Sequence, residues 1–170
     1  MANRTINTFQ VAGFTSFNDG VDVSISGGSL DTLIDSISVP GGTFKTNDIL
    51  IFHAAILRSG TTSATLSCRI WWNTSPDLSG AVLLGISSGN VIDEYVPIMR
   101  KVAIVSNTNT LVYNTGIVFE TDFGDSAGNE TASAISTITS IDWTLDGFFI
   151  VSGQNNNSTT ITKKYLYIQV

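Results

Sequence analysis

The sequence predicts an all-β fold, an antiparallel sandwich or barrel, on three observations. Strand-like alternations recur at short intervals from residue 33 to the end, with Gly, Pro, Asn and Ser between them. No window of helical length carries an i, i+3, i+4, i+7 apolar stripe, and the 126–138 stretch is too rich in Thr and Ser to hold one. Thr, Ser and Asn supply 54 of the 170 residues. Thr suits a pleated surface, and Ser, Asn and Gly suit the turns between strands. Many short strands without helices bury their apolar faces by stacking two sheets or closing one.

The elements follow in order. Residues 1–30 are rich in Gly, Ser, Asn and Thr and hold one short alternation, Val21 to Ile25. Scattered apolar side chains, Ile6, Phe9, Phe14 and Phe17 among them, are irregularly spaced, as in an extended arm that lays single anchors into grooves of a partner. These four are the candidate attachment residues. The alternative is an N-terminal strand that completes the sandwich. Residues 31–170 form the expected β domain. Ile37 and Val39 close its first strand, and Pro40-Gly41-Gly42 turns the chain. Strands are expected over 48–58, 63–73, 81–86, 95–105, 110–119, 135–143, 147–152 and 161–170. Pro97 lacks a ladder donor and marks an edge or a bulge.

Two stretches are apolar on both strand faces: residues 49–57, Ile-Leu-Ile-Phe-His-Ala-Ala-Ile-Leu, and residues 148–151, Phe-Phe-Ile-Val. An antiparallel sheet has one face on the core and the other in water, so its strands alternate. With no helix to shelter the second face, a second copy of the chain is the expected cover. Phe52, Ile56 and Phe149, with Tyr165 and Tyr167 from the last strand, are the candidate interface residues. On that last strand Leu166, Ile168 and Val170 share the other, core-directed face.

The 63–73 strand separates its faces: Leu66, Cys68, Ile70 and Trp72 point to the core, Ser67, Arg69, Trp71 and Asn73 away from it. Trp71 is thus a contact for a neighbouring subunit or loop, or a platform for a sugar. Arg69, Trp71, Asn73, Gln154 and Asn155 are the candidate ligand or partner contacts.

Catalytic chemistry is thinly represented. The single His53 sits inside the most apolar strand with no motif around it, and one His with one Cys cannot complete a zinc site of nitrogen and sulfur ligands. Cys68 has no partner for an intrachain disulfide and reads as a small core hydrophobe. Carboxylate pairs suited to glycan cleavage exist at Asp93/Glu94, Glu120/Asp122 and Asp142/Asp146, with nothing to show that any converges. The loop 120–130 gathers oxygen ligands without calcium-loop spacing. No enzyme activity, cofactor or metal is expected. A net charge of −6, with Arg100–Lys101 and Lys163–Lys164 the only adjacent basic pairs, argues against nucleic acid. No signal-peptide pattern or membrane-length apolar run is present, so the expectation is a chain made in the cytoplasm that does not enter a membrane.

Two segments carry a family resemblance. Residues 37–51, Ile-Ser-Val-Pro-Gly-Gly-Thr-Phe-Lys-Thr-Asn-Asp-Ile-Leu-Ile, look like a strand–turn–strand pattern of tailed-bacteriophage structural proteins. Residues 141–154 with the closing Lys164-Tyr-Leu-Tyr-Ile-Gln-Val170 resemble the paired final strands of jelly-roll domains in phage tail, head-fibre and decoration proteins. The resemblance covers about a quarter of the chain. It implies a jelly roll assembling as a homotrimer on a virion, beside other virion proteins. The alternative it leaves open is a receptor-binding tip module with a host-surface glycan as ligand.

Overall fold

The structure, a computed structural model, describes residues 14–17, 22–26, 30–59, 65–89, 95–114, 135–155 and 157–169. Its strands are β1 (Phe14–Phe17), β2 (Asp22–Ser26), β3 (Thr32–Val39), β4 (Ile49–Ser59), β5 (Leu66–Asn73), β6 (Val82–Gly89), β7 (Tyr95–Ser106), β8 (Asn109–Asn114), β9 (Ile135–Ile138), β10 (Gly147–Asn155) and β11 (Ser158–Gln169). A seven-stranded sheet runs β1-β11-β4-β7-β8-β9, with β2 also on β11, and a four-stranded sheet runs β3-β10-β5-β6. All pairings are antiparallel. The protein is a β-sandwich.

Its pairs are nested. β5 pairs β6, β4 pairs β7, β3 pairs β10, and β1 with β2 pair β11. The chain is therefore one long antiparallel ribbon, with the β5–β6 hairpin at its tip, wound so that successive rungs fall in alternate sheets. β8 and β9 extend the larger sheet beyond β7.

Residues expected as a free arm are in part a sheet edge. Phe14 to Phe17 pair with Ile168 to Tyr165, and Asp22 to Ser26 pair with Thr162 to Ser158. Phe14 and Phe17 thus belong to a strand paired with β11, as in the alternative of an N-terminal strand that completes the sandwich; Ile6 and Phe9 lie outside the described residues. Pro97 pairs with Ala55 on β4; the described part of β8 pairs with β7 from Arg100 to Ser106. The strand expected over 135–143 stops at Ile138, because the chain turns there and sends Ile141 and Trp143 into the core.

The core lies between the sheets and is aromatic at one end. The Phe149 ring packs 4.5 Å from Phe52, 4.7 Å from Trp72, 6.0 Å from Phe44 and 6.1 Å from Trp143. The Trp143 indole N–H donates to Thr110 Oγ1 at 2.8 Å, which satisfies its one polar atom in the dry interior. Room for Trp72 comes from Gly147, where a Cβ would stand 2.2 Å from the indole. The adjoining turns are tied by backbone bonds, Gly42 N to Trp143 O at 2.8 Å and Trp143 N to Asn107 O at 2.9 Å. The Gly41 N–H donates to Asp146 Oδ1 at 2.7 Å.

Phe52, Ile56 and Phe149, read from sequence as subunit contacts, are fully buried inside one chain. Both of their strands do carry apolar residues on two faces. On β4 the side that leaves an apolar residue exposed is the other one, at Ile49.

Candidate functional site

Alternation along β4 directs Leu50, Phe52, Ala54, Ile56 and Arg58 inward. On the outer face Ile49 is 56% exposed, and Ile51, His53 and Leu57 are half-buried. β7 matches it position for position. Ile49 stands opposite Ala103, Ile51 opposite Lys101, His53 opposite Met99, Ala55 opposite Pro97 and Leu57 opposite Tyr95. Tyr95 and Val105 on this face are 43% and 44% exposed. Among these positions Lys101 is the one formal charge. Burial pushes the His53 imidazole below its ordinary pKa, which favours the neutral ring. Tyr165 and Tyr167 are opposite Ala55 and His53 in the register; their side chains lie outside the described residues. The result is a broad, nearly uncharged apolar face on the larger sheet.

The outer face of the smaller sheet is different in kind. Its rows are Leu83–Trp71–Ile150–Ser36, then Ile86–Arg69–Ser152–Leu33, then Ser88–Ser67–Gln154. The Trp71 Nε1–H donates to Ser152 Oγ at 2.8 Å, and the Ser152 hydroxyl donates to Asp31 Oδ1 at 3.0 Å. Arg69 Nη1 donates to the same carboxylate oxygen at 2.5 Å. One polar chain therefore links the entry to β3 with β5 and β10.

This chain explains Ile150. It is fully buried although it points away from the core. Ser152 lies two positions further along the neighbouring strand from Ile150, the residue directly across from Trp71. The indole nitrogen reaches Ser152 only if the ring lies down along the sheet, beside Ile150. Ile150, directly across from that indole, is buried within the chain itself.

Asn73 and Asn155, expected as contacts for a ligand, are structural. Asn73 is buried; its Nδ2 donates to the Asp77 and Ser79 carbonyls at 2.8 and 3.0 Å, and its Oδ1 accepts from Thr74 N at 2.8 Å. It holds the 74–80 loop closed. Asn155 is fully buried, and its Oδ1 accepts from Asn157 N at 3.2 Å in the turn to β11. Gln154 stays half-buried on the outer face. Thus Arg69, Trp71 and Gln154 come together as a face, and the two asparagines do not join them. Asp31 and Ser152 escaped sequence reasoning because their link to Arg69 and Trp71 spans strands distant in the chain.

The expected carboxylate pair Asp142/Asp146 divides into two local tasks. Asp142 Oδ1 accepts from the Thr144 hydroxyl at 2.6 Å and the Thr144 N–H at 2.9 Å, bonds that lower its pKa, while Asp146 holds Gly41. Asp93/Glu94 and the 120–130 loop lie outside the described residues. No group of three His, Cys, Asp or Glu side chains able to hold a metal occurs among the described residues.

Cys68 is sealed between the sheets, and burial pushes its thiol up to about 12, against the opposing pull of Arg100 and Arg69. In the unfolded chain a thiol ionises near pH 8.5. Above that pH the unfolded state binds fewer protons than the native one, so this group's contribution falls as pH rises toward about 12. The expected result is that the wild type loses stability relative to Cys68→Ala on going from neutral to alkaline pH. Denaturant midpoints across that range check it; parallel curves would show that the native thiol ionises as freely as the unfolded one.

Compared with protein-family models, with curated proteins and with solved structures, the chain matches none.

Proposed function

We propose that this protein is a structural component of a virus particle, a head-fibre or decoration protein that assembles as a homotrimer on the particle exterior. The observation that carries the assembly reading is the outer face of β4 and β7, where Ile49, Ile51, Leu57, Tyr95 and Val105 lie in one apolar field. Contacts of this composition resemble the centre of a permanent interface, depleted of charge and rich in aliphatic and aromatic groups. A face of nearly one charge type would call for an unlike partner; a nearly neutral one can be covered by its own copy.

The jelly-roll reading is supported by the nesting of β5–β6, β4–β7, β3–β10 and β1/β2–β11, since winding a single ribbon is what distinguishes that topology from other sandwiches. The phage-like segments 37–51 and 141–154 form the β3–β4 turn with its flanks and the strand β10 with its lead, so the resemblance rests on the framework. The virion assignment draws on that resemblance.

Sedimentation at micromolar concentration tests the assembly reading. The wild type is expected as an oligomer, and Ile49→Lys with Leu57→Lys as a folded monomer, because the two changes place a charge at either end of the apolar β4–β7 rows. A monomeric wild type, or an undisturbed oligomer in the double variant, would overturn it. Antibody labelling of purified particles by electron microscopy tests the location; particles that carry the gene but not the protein would refute it.

A further inference from the structure

We propose that the outer face of the four-stranded sheet binds carbohydrate, with the Trp71 indole stacking against one face of a neutral pyranose ring. This goes beyond the assembly reading and does not rest on it.

The first argument is preorganisation. A free tryptophan on a sheet surface samples several rotamers and loses that freedom on binding. Here the Ser152 hydroxyl holds the indole nitrogen at 2.8 Å, and Asp31 holds the hydroxyl in turn at 3.0 Å. The indole nitrogen is thereby turned toward Ser152 on the neighbouring strand, and Trp71 as a whole is only half-buried. What the indole leaves exposed is held in one orientation in advance. Leu83, directly across on β6 and 41% exposed, extends the strip.

Charge decides the class of ligand. Arg69 is the one cation in the three rows around Trp71, and the Asp31 carboxylate already neutralises it. An acidic sugar or a phosphate would have to break that pair. What surrounds the indole otherwise is uncharged hydrogen-bonding chemistry: Ser36 in its own row, with Ser88 and Gln154 two rows away. A pyranose presents C–H groups on one face and hydroxyls around its rim, which suits an apolar strip bordered by serine and glutamine. A protein partner suits it less, because a stable interface buries about 800 Å² per partner around an apolar centre, and this face is serine-rich outside the strip.

The test uses the full chain and methyl glycosides of glucose, galactose, mannose and N-acetylglucosamine at millimolar concentration, read by saturation-transfer NMR. At least one glycoside is expected to receive magnetisation through the C–H protons of a single ring face. Trp71→Leu is expected to weaken it by about tenfold, the loss of one stacked ring. Ser152→Ala keeps the ring but removes its latch, and is expected to weaken binding while Trp71 still quenches on titration. Leu83→Ser, exposed and harmless to the fold, provides a second reading if Trp71→Leu does not fold. Transfer to none of the four, binding only of a sialylated probe, or binding untouched by both Trp71→Leu and Leu83→Ser would each overturn the proposal. Sedimentation of the same samples keeps it separate from the assembly reading: an oligomer that binds no sugar sinks this inference alone.

Discussion

Phe149→Ala is expected to lower the folding stability by about 3–5 kcal/mol, the range for an aromatic removed from a well-packed core. The ring has four aromatic neighbours, from the β3–β4 turn, β4, β5 and the lead into β10, so no single side chain can relax into the space it leaves. Against a typical total of about 5–15 kcal/mol, the variant retains at best a fraction of its stability. Denaturant midpoints measured over a range of protein concentration distinguish a core role from an interface role. A core residue gives a loss that is independent of concentration and survives in the monomeric Ile49→Lys, Leu57→Lys background. A loss that disappears in that background would return Phe149 to the subunit boundary. Phe148→Ala, one position away on the opposite face and half-buried, is expected to cost clearly less.

The comparison of Phe149 with Ile150 shows what the sequence makes legible. Two-faced apolarity over 49–57 and 148–151 reports that both sides of these strands are sheltered. It does not say by what. In β10 the outward Ile150 is buried and stands directly across from Trp71 on the adjacent strand, a neighbour set by register between residues 79 positions apart. In β4 the outward Ile49 stands opposite the small Ala103 and remains exposed. The same pattern therefore has two physical origins. Strand positions were readable because alternation and turn chemistry are local; β5 in particular shows the face separation expected of it, with Trp72 inward and Trp71 outward. The Asn73 and Asn155 roles were not readable, because asparagine beside a turn serves equally as a ligand contact or as a closure for the loop's own backbone. The N-terminal strands were half-readable. The Val21 to Ile25 alternation pairs over its described part, Asp22 to Ile25, whereas Phe14 to Phe17 is too short to alternate convincingly and owes its place to β11.

Arg100 supports the second large effect. It lies on the core face of β7 and is nearly fully buried, with Nη1 donating to the Met99 carbonyl at 2.8 Å and Nη2 donating to the Ile86 carbonyl on β6. A cation from one sheet thus completes the hydrogen bonding of the strand that ends the other. The side chain reaches it by passing over Gly85, where a Cβ would stand 2.5 Å from Nε and 2.6 Å from Cγ. Arg100→Met keeps the aliphatic stem and strips the donors from the part-buried Met99 and Ile86 carbonyls, an expected loss of about 1–3 kcal/mol. Gly85→Ala is expected to destabilise as well, because the displaced guanidinium loses the same bonds. The two losses have one cause, so they are not additive. In the Arg100→Ala background, where no side chain crosses the glycine, Gly85→Ala should cost little; the coupling between the two positions then falls in the range of about 0.5–3 kcal/mol found for residues in contact. Chemical denaturation of the four proteins closes the cycle. Additive losses would mean that Gly85 matters for its backbone alone, and that the inter-sheet arginine does not depend on the gap it provides.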